Sequence, residues 1–548
     1  MADFSLYAGR WVTLNEASRI VSVGTAPEEA QHSGRQTQPK EHLQLVWISP
    51  HPPYLPLPAW PLRQLHSLLQ RDQIWLVGGA VRDLLLKRPL HDWDFAVRGS
   101  AMKLARCIAD QLAGAYITLD AERDTSRVII KDPATQAPVV LDFATLRGAD
   151  LDTDLRWRDF TINAIALTLE GELIDPLNGR ADLTAQLVRA TSTHTFTDDP
   201  ARLLRAVRTA GELGFQLEAG TLAALRQHSA RISEIATERI QVELLRIIAV
   251  TPAVPHLQLL QAQGLLPHIL PEVSALRQVQ QSRPHHYATV WGHTLSAIVA
   301  GESLLAALNN QSPSRYVRRC VPVPAGAWEK AAGFLQSWQI ELRDYLQTPV
   351  STGISRGMLL KWGLLFHDIG KRSCRTVDAA DQTHFYGHPA AGAELAQHRL
   401  RVLHFPNSAI QFVSTLVDAH MRLLSLSENA PPSRRAIYRF FQATGEVGVG
   451  VVLLSLADTL AVWGPALTEE HWQQLLITAQ ALLQGYYQHP AEVVTPAPLL
   501  TGHDLLAMGI PAGPEMGRLL AALREAQAAG EINTVAAARA FIRQAWTC

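Results

Sequence analysis

Residues 76–97 read LVGGAVRDLLLKRPLHDWDFAV. The apolar run ending at Val77 has strand length, Gly78-Gly79 makes a tight turn where backbone can approach a ligand, and AVRDLLLKR has helical spacing ended by Pro89. DWDFAV then starts a second strand. Side chains alternate along a strand, so Asp92 and Asp94 share one face while Trp93 and Phe95 pack on the other. Two carboxylates about 7 Å apart on one strand face repel each other unless a cation lies between them. Magnesium, a hard dication that takes oxygen ligands, meets that need.

A third carboxylate, Asp142, sits inside the apolar run VVLDFATLR, where an unpaired charge is costly. Taken singly, Asp92 reads as a turn cap, Asp94 as a partner for Arg82 and Asp142 as a strand end. Taken in order, three strand-borne carboxylates suit two metal ions, one activating a hydroxyl and one holding a nucleoside triphosphate. The backbone N–H groups of Gly78 and Gly79, opening a helix, suit the phosphates.

A chain of 548 residues is long enough for several domains, and an apolar content of 47% is ample for their cores. The formal net charge of −1 provides no general attraction for nucleic acid, so such a partner needs local basic patches. Four dispersed cysteines lack disulfide or metal spacing. There is no signal pattern and no uninterrupted apolar run of about 18 residues. Together these features predict a soluble cytoplasmic protein without a membrane span. Residues 1–50 predict a small α/β unit, SPHPPYLPLPAWP a stiff linker, and 62–190 alternating strands and helices. From about 197 the spacing is almost wholly helical.

The combination of GG-x-x-R-D, D-x-D and an aspartate in an apolar strand resembles the head of class II tRNA nucleotidyltransferases and bacterial poly(A) polymerases, in the polymerase-beta-like nucleotidyltransferase superfamily. The resemblance implies an α+β fold with a mixed-sheet head, then an extended all-α neck, an HD domain and a tail. It makes Asp92, Asp94 and Asp142 the catalytic magnesium ligands, with Gly78, Gly79, Arg82 and Asp83 on the nucleotide. In DLRWRDFTINAIAL, Arg158, Asp159 and Asn163 match residues contacting ribose and triphosphate, while Trp157 stands where the family usually has a second arginine, a role open to Arg156.

In DDPARLLRAVR, Asp199 and Arg202 are three apart and are read on one helix face, extended by Arg205 and Arg208 toward nucleotide or tRNA backbone. A carboxylate acceptor beside a guanidinium donor matches the amino group and ring nitrogen of cytosine and adenine. It leaves uracil and guanine with mispaired polar groups.

Further on, His293, the doublet His367-Asp368 followed by Gly370-Lys371, then His388, His420 and Asp458 fall in the order of the HD phosphohydrolase superfamily. That resemblance implies a metal site for a divalent transition metal or Mg2+, with two ions if His388 and His420 both face inward. The family's usual aspartate after HHY is absent, with Ala288 and Thr289 there.

These readings predict a head at 62–190, a base-selecting neck at 191–265, an HD domain at 280–480 and a helical tail at 495–548. The expected function is template-independent addition or repair of the tRNA 3′-terminal CCA from CTP and ATP, with tRNA as partner and no protein partner implied. CC-only, A-only or poly(A) addition stay open, since LDAERDTSRVII at the expected mobile loop does not separate them. A reading of another class makes the HD module the main activity, a metal phosphohydrolase acting on RNA ends or nucleotides.

Overall fold

The computed structural model describes residues 4–15, 17–50, 56–58, 62, 65, 74–90, 92–133, 135–281, 286–379 and 382–547. The chain forms two compact units, Met1–His228 and Ser229–Cys548. The residues expected to form one neck, 191–265, therefore divide at 228.

In the first unit, β1 (Trp11–Leu14), β2 (Ile20–Gly24), β3 (Gln44–Ile48) and β4 (Pro56–Pro58) form a sheet in the order β2-β1-β3-β4. Val12, Leu14, Val46 and Ile48 are its core. Part of the expected proline-rich linker is thus a strand. Prolines are tolerated in β4 because it lies at a sheet edge. Residues 51–55 and 59–61 of that passage lie outside the described residues.

The head is a seven-stranded mixed sheet. Its strands are β5 (Ile74–Val77), β6 (Asp92–Val97), β7 (Ala115–Asp120), β8 (Thr125–Lys131), β9 (Pro138–Thr145), β10 (Ala166–Leu167) and β11 (Leu173–Ile174). They run in the order β11-β10-β5-β6-β9-β8-β7, with β6 and β9 parallel and every other pair antiparallel. Strand alternation holds along β6: Trp93 and Phe95 are buried, whereas Asp92 is exposed and Asp94 half-buried. Phe95 stacks on Phe143, its register partner in β9, with ring centroids 5.2 Å apart. That aromatic pair resists a one-residue slip, which would turn every side chain of the strand over.

The second unit is mainly helical, with two short strand pairs among its described residues. Helices Val290–Ala307, Arg356–Phe366, His388–Val402, Asn407–Ala419 and Gly448–Trp463 carry or adjoin the histidines and aspartates of interest. Among the described residues one helical stretch, Arg434–Ala466, is long and apolar enough to cross a membrane. Its apolar window is 89% buried inside the protein, as expected of a core element. At the end of the chain, Leu500, Leu505, Ile510, Leu519, Leu523 and Ile542 form a core of their own.

Candidate functional site

Gly78 follows β5 at φ +71°, a left-handed conformation that glycine adopts without steric cost, and starts the helix Gly79–Leu85. A Cβ at Gly78 would lie 3.2 Å from Arg158 Nη1 and 3.4 Å from Asp94 Oδ2, so the turn, the guanidinium and the carboxylate converge. Asp94 and Asp142 are direct register partners across the parallel β6–β9 pair. Burial, with Asp142 and Asp92 close by, pushes the Asp94 carboxyl up to about 6 against the pull of Arg158. Arg127, on β8, donates to both oxygens of Asp142 at 2.8 Å.

The remaining head residues form a connected network. Arg82 donates twice to Asp83 at 3.0 Å and, through Nη1, to Asn163 Oδ1 at 2.8 Å. Asn163 in turn donates to Asp159 Oδ1 at 3.0 Å, and Arg205 Nη1 donates to Asp159 Oδ2 at 3.3 Å. Asp159 is kept below the ordinary carboxylate range because Arg205, Asn163 and the Phe160 N–H outweigh its burial. Arg158 is held by two donations to Asp154 Oδ2, at 3.1 and 2.9 Å.

The expected helical face joining Asp199 to Arg202 is corrected. Asp199 has extended backbone at φ −148°, and the helix begins at Arg202 and runs to Leu213. Pro200 is the reason, since a residue preceding proline is driven out of the helical region. Asp199 instead accepts from the Ala201 N–H at 3.1 Å. Arg202 is buried and donates to Trp157 O at 2.6 Å and Thr195 O at 3.4 Å. Arg205 meets Asp159 as described, and Arg208 forms an ion pair with Glu212 at 3.0 Å, one turn along its own helix. Arg156 is occupied similarly, by Asp152 at 2.7 Å.

In the second unit six side chains meet. His293 Nε2 lies 3.0 Å from His367 Nε2, 2.9 Å from Asp458 Oδ1 and 3.4 Å from Asp368 Oδ2. His367 Nε2 lies 3.3 Å from Asp368 Oδ2 and 3.4 Å from Asp458 Oδ1. On the other side of Asp368, its Oδ1 lies 3.4 Å from His388 Nε2 and 4.0 Å from His420 Nε2, which are 3.2 Å apart. The Nδ1 atoms of His367, His388 and His420 face the carbonyls of Leu364, Phe385 and Val417 at 2.9, 2.8 and 2.6 Å. Since a carbonyl only accepts, each Nδ1 carries a proton and each Nε2 is turned to the cluster.

The separations of 2.9 to 3.4 Å among His293 Nε2, His367 Nε2 and Asp458 Oδ1, and from the two imidazoles to Asp368 Oδ2, match the edges of a polyhedron around an ion about 2.1 Å from each ligand. Burial and the neighbouring His367 drive His420 down to about 3. His367 is raised to about 10, because Asp368 and Asp458 outweigh its burial. Thr289, in the stretch that lacks the usual aspartate, caps the helix Val290–Ala307 by accepting from Gly292 N–H at 3.2 Å.

Sequence reading missed Arg127, whose signal was a charged residue within the apolar alternation of TSRVIIK beside the Asp142 strand. It also missed Asp154, a helix residue indistinguishable in sequence from a solvated acid.

Residues 74–189 match the profile of the poly A polymerase head domain. Residues 214–276 match a probable RNA and SrmB-binding site of polymerase A, and 390–541 a putative tRNA nucleotidyltransferase domain 2. The chain is 32% identical to an A-adding tRNA nucleotidyltransferase of Deinococcus radiodurans, over 86% of its own length and 94% of the relative's. It belongs to the tRNA nucleotidyltransferase family. It is also 32% identical to a CC-adding tRNA nucleotidyltransferase of Thermus thermophilus, over 85% and 92% of the two chains. In fold it resembles a CCA-adding enzyme solved with CTP, with a TM-score of 0.55 and 18% identity over 87% of this chain and 92% of that one. The tRNA nucleotidyltransferase head thus corresponds to the mixed sheet bearing Asp92, Asp94 and Asp142.

Proposed function

We propose that the head adds nucleotides from CTP and ATP to the 3′ end of tRNA, building or repairing the terminal CCA. The observation that carries this reading is the register pairing of Asp94 with Asp142 beside the Gly78 turn and Arg158. Asp92, Asp94 and Asp142 form an oxygen-only donor set with mutual repulsion, which suits Mg2+. Bound there, magnesium supplies activation of the attacking hydroxyl and charge neutralisation at the phosphates. Gly78, Gly79, Arg82, Asp83 and Arg158 hold the triphosphate and ribose, and Asn163 and Asp159 keep Arg82 in place. The tRNA 3′-oxygen attacks the α-phosphorus, the bond to the β-phosphate oxygen breaks, and pyrophosphate leaves.

Base choice is assigned to Asp199 and Arg202, with the buried guanidinium oriented by the Trp157 carbonyl. Arg205 and Arg208 support that segment. Processing of tRNA and the free thiols of Cys107, Cys320 and Cys374 accord with a cytoplasmic setting.

The test uses tRNAs ending before CCA, after C and after CC, each given labelled CTP or ATP. Incorporation should vanish in Asp92→Ala and persist in His367→Ala; incorporation surviving Asp92→Ala refutes the reading. A second reading, CC-only or A-only addition, is favoured by the relatives matched over more than nine tenths of their length, which are named for A and CC addition. The primer series separates the two.

For the second unit, the reading is an HD-type site in which His293, His367, Asp368 and Asp458 hold one divalent ion. His388 and His420 hold another, with Asp368 shared. A nitrogen-rich donor set favours a transition metal over Mg2+, and bound ions of this kind supply an activated water for phosphoester hydrolysis.

A further inference from the structure

Immediately before the ligand His388, the hairpin formed by Thr376–Val377 and Thr383–His384 leads into Phe385, Tyr386 and Gly387. Phe385 turns inward: its carbonyl faces His388 Nδ1 at 2.8 Å, and its ring lies 5.3 Å from Lys371 Nζ. Lys371 also stands 2.8 Å from Asp368 Oδ2, within the cluster. His384 and Tyr386 form a second, outward pair, with ring centroids 5.2 Å apart and planes inclined by 11°. Asp378 Oδ2 meets His384 Nε2 at 2.8 Å, and Tyr386 OH meets His384 Nδ1 at 3.4 Å. Both nitrogens of the imidazole are thus anchored, while Tyr386 is 77% exposed.

We infer that His384 and Tyr386 form a base-stacking platform for a nucleotide, free or at an RNA end, whose phosphate is taken at the histidine–aspartate cluster. This rests on the reading of that cluster as a metal site, and it assigns the residues that hold the base.

Three observations converge. One residue, Gly387, separates Tyr386 from His388, a Cα-to-Cα span of at most about 7 Å, so a ring and a metal ligand project from the same short segment. Asp378 fixes the His384 imidazole, and the Tyr386 ring stacks on that fixed imidazole. The carbonyl that orients His388 belongs to Phe385, the residue between the two rings in sequence, so the platform and the ligand share one short segment. A site for a bare phosphoester needs the cluster and Lys371 but has no use for an anchored aromatic face beside them. Aromatic stacking favours any base, because every base has a π-face. The site therefore prefers nucleotides to sugar phosphates and discriminates little among bases.

The test uses the full chain carrying Asp92→Asn and Asp94→Asn, so that added Mn2+ reports on the cluster rather than the head. Broadening of the phosphorus resonance by Mn2+ measures binding of AMP, CMP and ribose 5-phosphate. Expected are AMP and CMP affinities within a few-fold of one another and both about tenfold or more above ribose 5-phosphate. Tyr386→Ala should remove that advantage, Tyr386→Phe should keep it, and neither should alter Mn2+ binding. Mn2+ bound as expected, with AMP and ribose 5-phosphate alike or Tyr386→Ala without effect, overturns the platform alone. Mn2+ binding unaffected by His367→Ala and Asp368→Ala overturns the metal site and the platform with it.

Discussion

Arg127 clasps Asp142 through two hydrogen bonds of 2.8 Å, one to each carboxylate oxygen. The cation thus already neutralises a group assigned to magnesium, and the two compete for the same oxygens. Arg127→Met should lower the Mg2+ concentration for half-maximal nucleotide incorporation several-fold. A titration showing a higher requirement would mean that Arg127 orients Asp142 instead of competing for it.

Asp94 gives the head a pH dependence. Its folded value, about 6, is above the ordinary 3.8, so the folded state holds that proton more tightly than the unfolded chain. The corresponding stability is fully present below the ordinary value and is lost as pH rises through about 6. Mg2+, which binds the carboxylate form, should therefore raise the melting temperature little at pH 5 and progressively more through pH 6 to 7.5. Asp94→Asn should abolish the pH-dependent part; a pH-independent shift in the parent protein would contradict the assignment.

Asn163 bridges Arg82 and Asp159 with bonds of 2.8 and 3.0 Å. Asn163→Ala leaves polar groups on both sides without that link, a loss of about 1–2 kcal/mol. Steady-state kinetics should show kcat/KM falling about tenfold for CTP and ATP alike. A loss confined to one nucleotide would place Asn163 in base choice rather than in holding the triphosphate end.

Asp368 turns one oxygen to each histidine group, Oδ2 lying 3.3 Å from His367 and Oδ1 3.4 Å from His388. Calorimetric titration with Mn2+ in the head-inactivated protein should therefore show two ions lost in Asp368→Ala. His420→Ala should lose only one. Equal losses in both variants would refute a shared carboxylate.

Lys361 and Glu302 form a buried pair at 2.7 Å, and Lys361 Nζ also lies 3.0 Å from Val250 O and 2.8 Å from Thr251 Oγ1. Lys361→Ala strands a buried carboxylate and should cost about 3–5 kcal/mol in denaturant unfolding. Lys361→Met combined with Glu302→Gln should recover much of that loss. No recovery would show that the contacts to Val250 and Thr251 matter more than the charge.

The mixed-sheet head, the parity of β6, the Gly78 turn and the membership of the histidine–aspartate set were legible in the chain. The parity and the turn follow from local rules, alternation along a strand and the left-handed freedom of glycine, whereas the sheet head and the histidine–aspartate set came through resemblance to known families. Asp199 shows where even a local rule was overlooked, because Pro200 alone removes it from the helix. Asp142 was legible as a carboxylate in an apolar strand, but its pairing with Asp94 required β9 to lie parallel to β6, forty-odd residues away. The grip of Arg127 on it required β8 as the next neighbour. Likewise, the sequence by itself named six candidate ligands, by their resemblance in order to the HD superfamily, whereas only the tertiary structure brought them together and decided that Asp368 divides its oxygens between two histidine groups. Register and helix packing set those distances, and they follow from burying apolar faces far apart in the chain, which no local spacing encodes.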